Sequence, residues 1–544
     1  MACLGVVGNV VQAWRHGWVL EGDNAAIAIN TFDTIHGHFR MVGVHSSAVT
    51  YAGIGDFYHP GPMLYWVSAV PAGLFDWGPA GFLFVAALIN CASLIGVAVF
   101  VRRRAGDRVA TVVTAAGALL VWSLGTEIPH DVWNPHIAVL PWFLALVLFW
   151  SVLEGDRAAL VVLAFVVSFS VQDHFSYLPL VGPLVVGVAV TIGLRLWRQR
   201  RADPAAWASD RRSWARSGLA ALVVLTLCWL PVLIQQLTGD PKNISQLVRF
   251  VRAGSPRGRQ GASFALGRFF GFLGSRPLWL DRQVDFDAVM RDPSLLDVVV
   301  SVVVVGAAAG LCWYHLFRGR RTIGRLLALC LASIVLLFVS TVSLPKEISS
   351  ALPPNYMPWW PVCLMTLVGI AWGALALTRP SWRRPVPLIA IVVALAFTVT
   401  TVVSTDPAGD RSIWAFPAIR ALNEQVRAKL PNIGPYYVAD QGGMAFLSLA
   451  NPLILDLARH GYDVRVPAYR EPSLGTFRSV DRRHLAGIVL VASGPTAVNP
   501  PTGATVLARV PVGVGTPATR YLATSYPVVA YLLPPSKLDA VGGL

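Results

Sequence analysis

The chain has 544 residues, of which 55% are hydrophobic and only 13% are charged, with a mean hydropathy of +0.58. A soluble protein of this length needs more surface charge, so the composition points to a bilayer, where a helix of about 20 residues satisfies its own backbone across roughly 30 Å of hydrocarbon. The net charge of +15 comes from Lys and Arg beside apolar runs, and without basic–aromatic modules it excludes a nucleic-acid partner.

Apolar runs predict about eleven membrane spans, at 1–14, 79–101, 108–125, 136–153, 158–171, 177–197, 217–236, 297–317, 325–344, 357–377 and 386–404. The first offers only about 21 Å at 1.5 Å per residue. Either the bilayer thins around it or the true start lies upstream of Met1. Short loops after alternate spans hold nineteen arginines, from Arg102 to Arg384. The short loops on the other side hold a single Lys or Arg, Lys346. Cytoplasmic loops carry the excess of basic residues, which puts the N-terminus inside and segments 15–78, 237–296 and the tail outside. No small-residue cleavage site precedes Arg15, so the first span is expected to be an uncleaved anchor. Cys3, Cys91, Cys228, Cys312, Cys330 and Cys363 all lie in or beside the apolar runs, without a CxxC pair, so neither zinc nor disulfides are expected to hold the tail.

Two domains follow: a transmembrane one at 1–404 and a small extracytoplasmic α/β one at 405–544. In the tail, Tyr436–Ala439, Val464–Val466 and Gly487–Ala492 read as strands, and Ala415–Leu430 and Met444–His460 as helices. Gly442-Gly443 lacks the glycine spacing of a dinucleotide site and reads as a turn before a helix.

Charged residues are almost absent from the spans, whereas a transporter places ionisable groups near the midplane. They gather instead in the outside loops, which points to chemistry at the outer membrane surface. The first loop carries Asp23, then Asp33, His36 and His38, with helical spacing over 24–39 that suits an interfacial helix. Asp23 fits either a reactive carboxylate or a helix N-cap. Asp56, Tyr58 and His59 follow, in a Tyr-His-Pro-Gly-Pro turn. The second loop packs Glu127, His130, Asp131, Asn134 and His136 into ten residues, and the third carries Asp173 and His174. Helix packing is expected to bring these hairpins into one cavity. The His and Asp supply admits a divalent metal, but no fixed ligand spacing demands one. The loop 237–296 is rich in arginine, Arg249 among them, suited to a phosphate or to anionic lipid headgroups.

These residues resemble the GT-C glycosyltransferases, in the group that includes protein O-mannosyltransferases and the lipid A aminoarabinose transferase. The resemblance rests on an acid after the first span (Asp23), an aromatic-basic-Pro-x-Pro turn (Tyr58 to Pro62), a polar-Pro start to the fourth span (Asn134-Pro135) and a Tyr-x-Pro start to a late span (Tyr356 to Pro358). It covers 1–404. Two positions depart from the pattern: Asn24 stands where many relatives have a second acid, and Asn134 where many have Asp. Asp131 or Asp56 is then expected to supply the second carboxylate.

The resemblance implies a transferase that takes a sugar from a polyprenyl-phosphate donor to a cell-envelope glycan, lipid or protein, in the plasma membrane. Asp23 would act as general base, and His59 with Arg249, Lys346 or Tyr356 would stabilise the departing phosphate. A single displacement would invert the sugar. Two rival readings remain: a transporter or flippase of envelope precursors, and a non-catalytic envelope scaffold.

Overall fold

The computed structural model of the chain describes residues 1–46, 48, 55–253, 255–282, 286–347, 352–403, 415–443, 445–481, 484–511 and 527–542. The domain boundary expected at 404–405 and the helix start expected at Met444 lie outside them.

The chain is an integral membrane protein, mostly helical. Among the described residues, eight helical stretches are long and apolar enough to cross a membrane. Helix α1 (Ala2–Arg15) is too short to count among them. Helix α2 (Gly22–Ile35) and α3 (Met63–Gly73) precede α4 (Pro79–Ser123), which breaks at Gly106, where φ is 80°. A positive φ is open to glycine and costly for a residue with a Cβ, and Arg102, Arg103, Arg104 and Arg108 surround the break. The two arms of α4 match the second and third expected spans.

Helix α5 (Asn134–Ile137) leads into α6 (Val139–Leu153), a helix buried on all sides. Helix α7 (Arg157–Asp173) starts where the Asp156 carboxylate accepts from the amides of Ala158 and Ala159. Helices α8 (Leu178–Ala202) and α9 (Pro204–Thr238) form a hairpin, and Asp203 caps the start of α9. Two shorter helices, α10 (Asn243–Ala253) and α11 (Gly261–Leu273), precede α12 (Leu295–Phe317), α13 (Arg321–Ser343), α14 (Trp359–Leu375) and α15 (Val386–Val403).

The arginine-bearing loops meet at one end of this bundle. Arg103 and Arg104 pair with Asp156, Arg157 with Asp210, and Arg325 with Glu154. Desolvation raises the Asp156 pKa, but the Arg103 hydrogen bond, the Arg104 and Arg103 charges and the Ala159 amide outweigh it and hold the carboxyl below the usual range.

The tail folds as a five-stranded sheet: β1 (Tyr436–Gln441), β2 (Val464–Arg465), β3 (Gly487–Ala492), β4 (Thr505–Val510) and β5 (Val528–Leu533), in the order β2-β1-β3-β5-β4. The first three strands run parallel, and β5 joins β3 antiparallel, with Val489 opposite Leu532. Helices α16 (Phe416–Lys429) and α17 (Ala450–Arg459) cover the sheet. The three expected strands are present, while β4 and β5 escaped the sequence reading.

Helix α2 is covered by the tail: Ala25 to Ile29 are buried in one apolar core with Leu453 and Ile454 of α17 and Val489 of β3. The apolar face is satisfied by the tail rather than by lipid.

Candidate active site

The site grows from the N-terminal end of α2. Gly22 adopts φ 47° and lets the chain turn into the helix, so that Asp23 falls in its first turn. Asp23 is not the N-cap; Glu21 occupies that position. The Asp23 carboxylate instead accepts the Trp133 indole N–H at 3.0 Å. The same Trp133 donates its backbone N–H to Asp131 at 3.1 Å. Asn24 donates to the other side of the pair, Nδ2 to Asp131 Oδ1 at 2.6 Å, and His136 Nδ1–H donates to Asp131 Oδ2 at 2.6 Å. The second carboxylate beside Asp23 is therefore Asp131, delivered by a different hairpin and held by the Asn24 that replaces an acid.

The two carboxyls are pushed apart. Desolvation raises the Asp23 pKa, and the nearby Asp131 charge adds to this against the Trp133 N–H and His45. Asp23 remains open to solvent along one edge. Burial also raises Asp131, but the His136 hydrogen bond and charge, the Trp133 amide and His130 outweigh it, and its pKa lies below the usual carboxylate range. Environments that separate two carboxyls in this way commonly divide a base from a fixed anion.

His59 sits on an extended segment. Its backbone N–H donates to Val44 O at 2.9 Å, its carbonyl accepts from Gly43 N–H, and Asn243 of α10 binds Tyr58 through backbone N–H and carbonyl. The Phe175 N–H donates to His59 Nδ1 at 3.3 Å. That bond leaves the proton of the neutral ring on Nε2. Desolvation, then the charges of His174 and His45, pushes the His59 pKa well below 6.5. Its ring lies 4.7 Å from that of His174, whose pKa falls to about 3 through desolvation and His136. Trp133 links Asp23 to Asp131, Asn134 of the same hairpin reaches the Asp173 carbonyl, and the neighbouring His174 ring lies on His59. Residues from three hairpins thus meet.

The remaining expected residues fall as follows. Asp56 accepts from His45 Nε2–H at 2.9 Å, and Tyr58 stacks edge-on to the same His45. Asn134 is buried and donates to the Asp173 carbonyl at 3.1 Å. His130 is buried too, bonded to Asn9 of α1 at 2.7 Å and edge-on to Trp18. Arg249 is exposed on α10, and Lys346 is exposed beside the Arg257–Glu347 pair. Tyr356 is buried against Phe272 in the bundle. Glu127, Asp131 and His136 each offer an atom within 4.8 Å of the others, a set that suits a divalent cation. A cation there would compete with the His136–Asp131 bond.

Sequence reading missed Arg40, and the state of Asp173 emerges only from the fold. Arg40 lies 5.9 Å from the Tyr58 ring centre and donates to Pro472 O of the tail, which brings a cation to the first loop's own side of the site. Asp173 is buried with neither carboxylate oxygen hydrogen-bonded in the described structure. A buried unpartnered carboxylate is a costly feature that soluble-core packing does not explain.

No protein-family model matches the chain, and no curated protein matches it in sequence. Solved structures do. ArnT from Cupriavidus metallidurans, bound to undecaprenyl phosphate, superposes with a TM-score of 0.55 at 14% identity, over 97% of this chain and 97% of that one. ArnT from the same organism in the apo state gives 0.53 at 14%, over 98% and 97%. The chain has the ArnT fold. The GT-C resemblance drawn from scattered motifs therefore holds for the architecture from end to end, including the tail, which the motifs did not cover. Within this ArnT-like frame, an apolar cavity of about 580 Å³ lies between α7, α8 and α9. It extends from Val171 and Leu178, next to His174, to Leu196 and Trp214. From Leu178 to Leu196 along α8 is about 27 Å at 1.5 Å per residue.

Proposed function

We propose that the chain is a glycosyltransferase that moves a sugar from a polyprenyl-phosphate donor to a cell-envelope glycan, lipid or protein at the outer face of the membrane. The observation that carries this reading is the run of contacts from Asp23 and Asp131 through Trp133, and from Asn134 through the Asp173 carbonyl to the His174–His59 pair, with an apolar cavity lined by Val171 and Leu178 on either side of His174 in the chain. The likeness to ArnT, solved with undecaprenyl phosphate, supports it further. The cavity takes the prenyl chain, and the phosphate rests at the His174 end. The arginine-bearing loops face the cytoplasm, and the tail lies outside.

Asp23 takes the proton of the acceptor hydroxyl as the acceptor oxygen attacks the anomeric carbon. The bond from that carbon to the phosphate oxygen breaks, and the electron pair leaves with the polyprenyl phosphate. Attack from the opposite face inverts the sugar. His59, neutral with its proton on Nε2, donates to the phosphate oxygen where charge grows. Arg40 supplies positive charge from the same side, and Arg249 and Lys346 approach from the outer loops. A phosphate leaves without protonation, so one basic carboxylate suffices, and Asp131 stays ionised to hold Asn24 and Trp133.

Purified protein given polyprenyl-phosphate mannose or arabinose and a wall-glycan acceptor tests this. Asp23→Asn is expected to lower turnover by roughly 10²–10⁴-fold while donor binding persists. Full activity in Asp23→Asn sinks the base assignment. A folded wild-type protein that turns over no donor sinks the transferase reading and favours the scaffold.

A further inference from the structure

A second cavity, of about 540 Å³, lies away from the reacting groups, between the C-terminal end of α2, the corner joining α3 to α4, and strand β2 of the tail. Asp33, at its floor, stands ten residues along α2 from Asp23, about 15 Å at 1.5 Å per residue.

Three features of this cleft point to a ligand. Its corner is strained: Asp76 and Trp77 have φ of 55° and 49°, a region that residues with a Cβ rarely occupy, and such strain gathers at binding sites. Its walls are aromatic. Trp77 meets Phe32 and His36 edge-on, and His38 lies flat on Phe477 at 3.7 Å between ring centres. Its charges cancel. Asp76 pairs with Arg459 at 2.9 Å, Asp463 with Arg465 at 2.9 Å, and buried Asp33 with Arg478.

The cancellation decides the ligand class. A phosphate or polyanion site needs surplus cations, and here each arginine already has its own acid. A purely apolar ligand would leave three ion pairs to be desolvated beside it. Flat rings together with partly open carboxylates and guanidinium groups suit a neutral polyhydroxylated ligand. The rings cover the C–H faces of a sugar, and the charged groups accept from and donate to its hydroxyls. The Asp76 and Asp463 side chains are 67% and 48% exposed, free to take such bonds.

We propose that this cleft binds a neutral oligosaccharide, and that it holds the distal part of the glycan whose end reaches Asp23. The second half of the statement rests on the transferase reading; the first does not. Binding to the full-length protein in detergent, without any donor, tests it by calorimetry. The probes are a mannohexaose, an arabinofuranose hexasaccharide and, as the anionic comparison, a hexagalacturonate. A neutral hexasaccharide is expected to bind. Trp77→Ala and Asp463→Ala are expected to weaken it at least about tenfold. Asp463 is exposed and its replacement spares the packing, so it answers the question even where Trp77→Ala fails to fold. Preference for the hexagalacturonate, no binding of either neutral probe, or unchanged binding in Asp463→Ala overturns the proposal. Turnover with unchanged binding in Asp463→Ala removes the cleft and spares the transferase. Binding lost in Asp463→Ala with no turnover from any donor does the reverse.

Discussion

Trp133 places its indole N–H on the Asp23 carboxylate at 3.0 Å, and Asp131 accepts the backbone N–H of the same residue. One side chain therefore sets both the position and the basicity of the proposed base. The N–H stabilises the ionised carboxylate and so lowers its pKa against the effect of desolvation. Trp133→Phe removes that donor, and the Asp23 pKa rises. The acidic limb of the kcat/KM profile is expected to move to higher pH. A limb that stays put, or moves to lower pH, contradicts the assignment of Asp23 as the titrating base.

The Asp33–Arg478 pair ties α2 to the tail through two hydrogen bonds, with both side chains nearly inaccessible. Removing one partner leaves a buried charge uncompensated. Arg478→Met is expected to cost about 3–5 kcal/mol of stability. Asp33→Leu combined with Arg478→Met is expected to recover most of that loss. Thermal unfolding of the two variants side by side measures this, and a double variant no better than the single one speaks against the pair as the cause.

His59 and His174 are held neutral in the fold, His174 with a pKa of about 3. Unfolded, each ring takes up a proton below about 6.5. The stability they support is thus complete above that pH and falls as the pH drops below 6.5 toward the folded values. The Tm is expected to fall between pH 7 and pH 5. The double variant His59→Gln with His174→Gln is expected to show a shallower fall; an equal slope assigns the acid sensitivity elsewhere.

Gly182 lines the apolar cavity, and a Cβ built there meets nothing within 4 Å. A Cβ at this position therefore meets no steric barrier at the cavity wall. Gly182→Phe is expected to raise KM for an undecaprenyl-phosphate sugar severalfold and to leave a short-chain prenyl donor unchanged. Equal effects on the two donors separate the cavity from the prenyl chain.

The architecture was readable where physics acts locally. Long apolar runs and arginine clusters located the helices and their common end, because hydrocarbon imposes length and the loops carry charge. Asp23 and Asp131 were also within reach as acids in outward loops. Their joining through Trp133 and Asn24 was not, since it depends on a contact across 107 residues. His130 read as a ligand-facing residue from its loop, and its hydrogen bond to Asn9 of α1, across 121 positions, gave no signal in the sequence. Arg40 gave no signal as a single cation between apolar residues, and its meaning comes from Tyr58 and Pro472. The tail's cover over α2 was not legible, because an apolar face reads the same whether lipid or protein meets it. Strands β4 and β5 lie outside the parallel β-α-β rhythm that revealed the other three.

Asn451 donates to the Gly22 carbonyl, one residue before Asp23, across 429 positions of sequence. The proposed base and the group that braces it therefore come from segments far apart in the chain. A nascent chain halted in the membrane would carry Asp23 on a helix whose apolar face still lacks its cover. The order of the proposed base thus depends on the tail as well as on the helix that carries it.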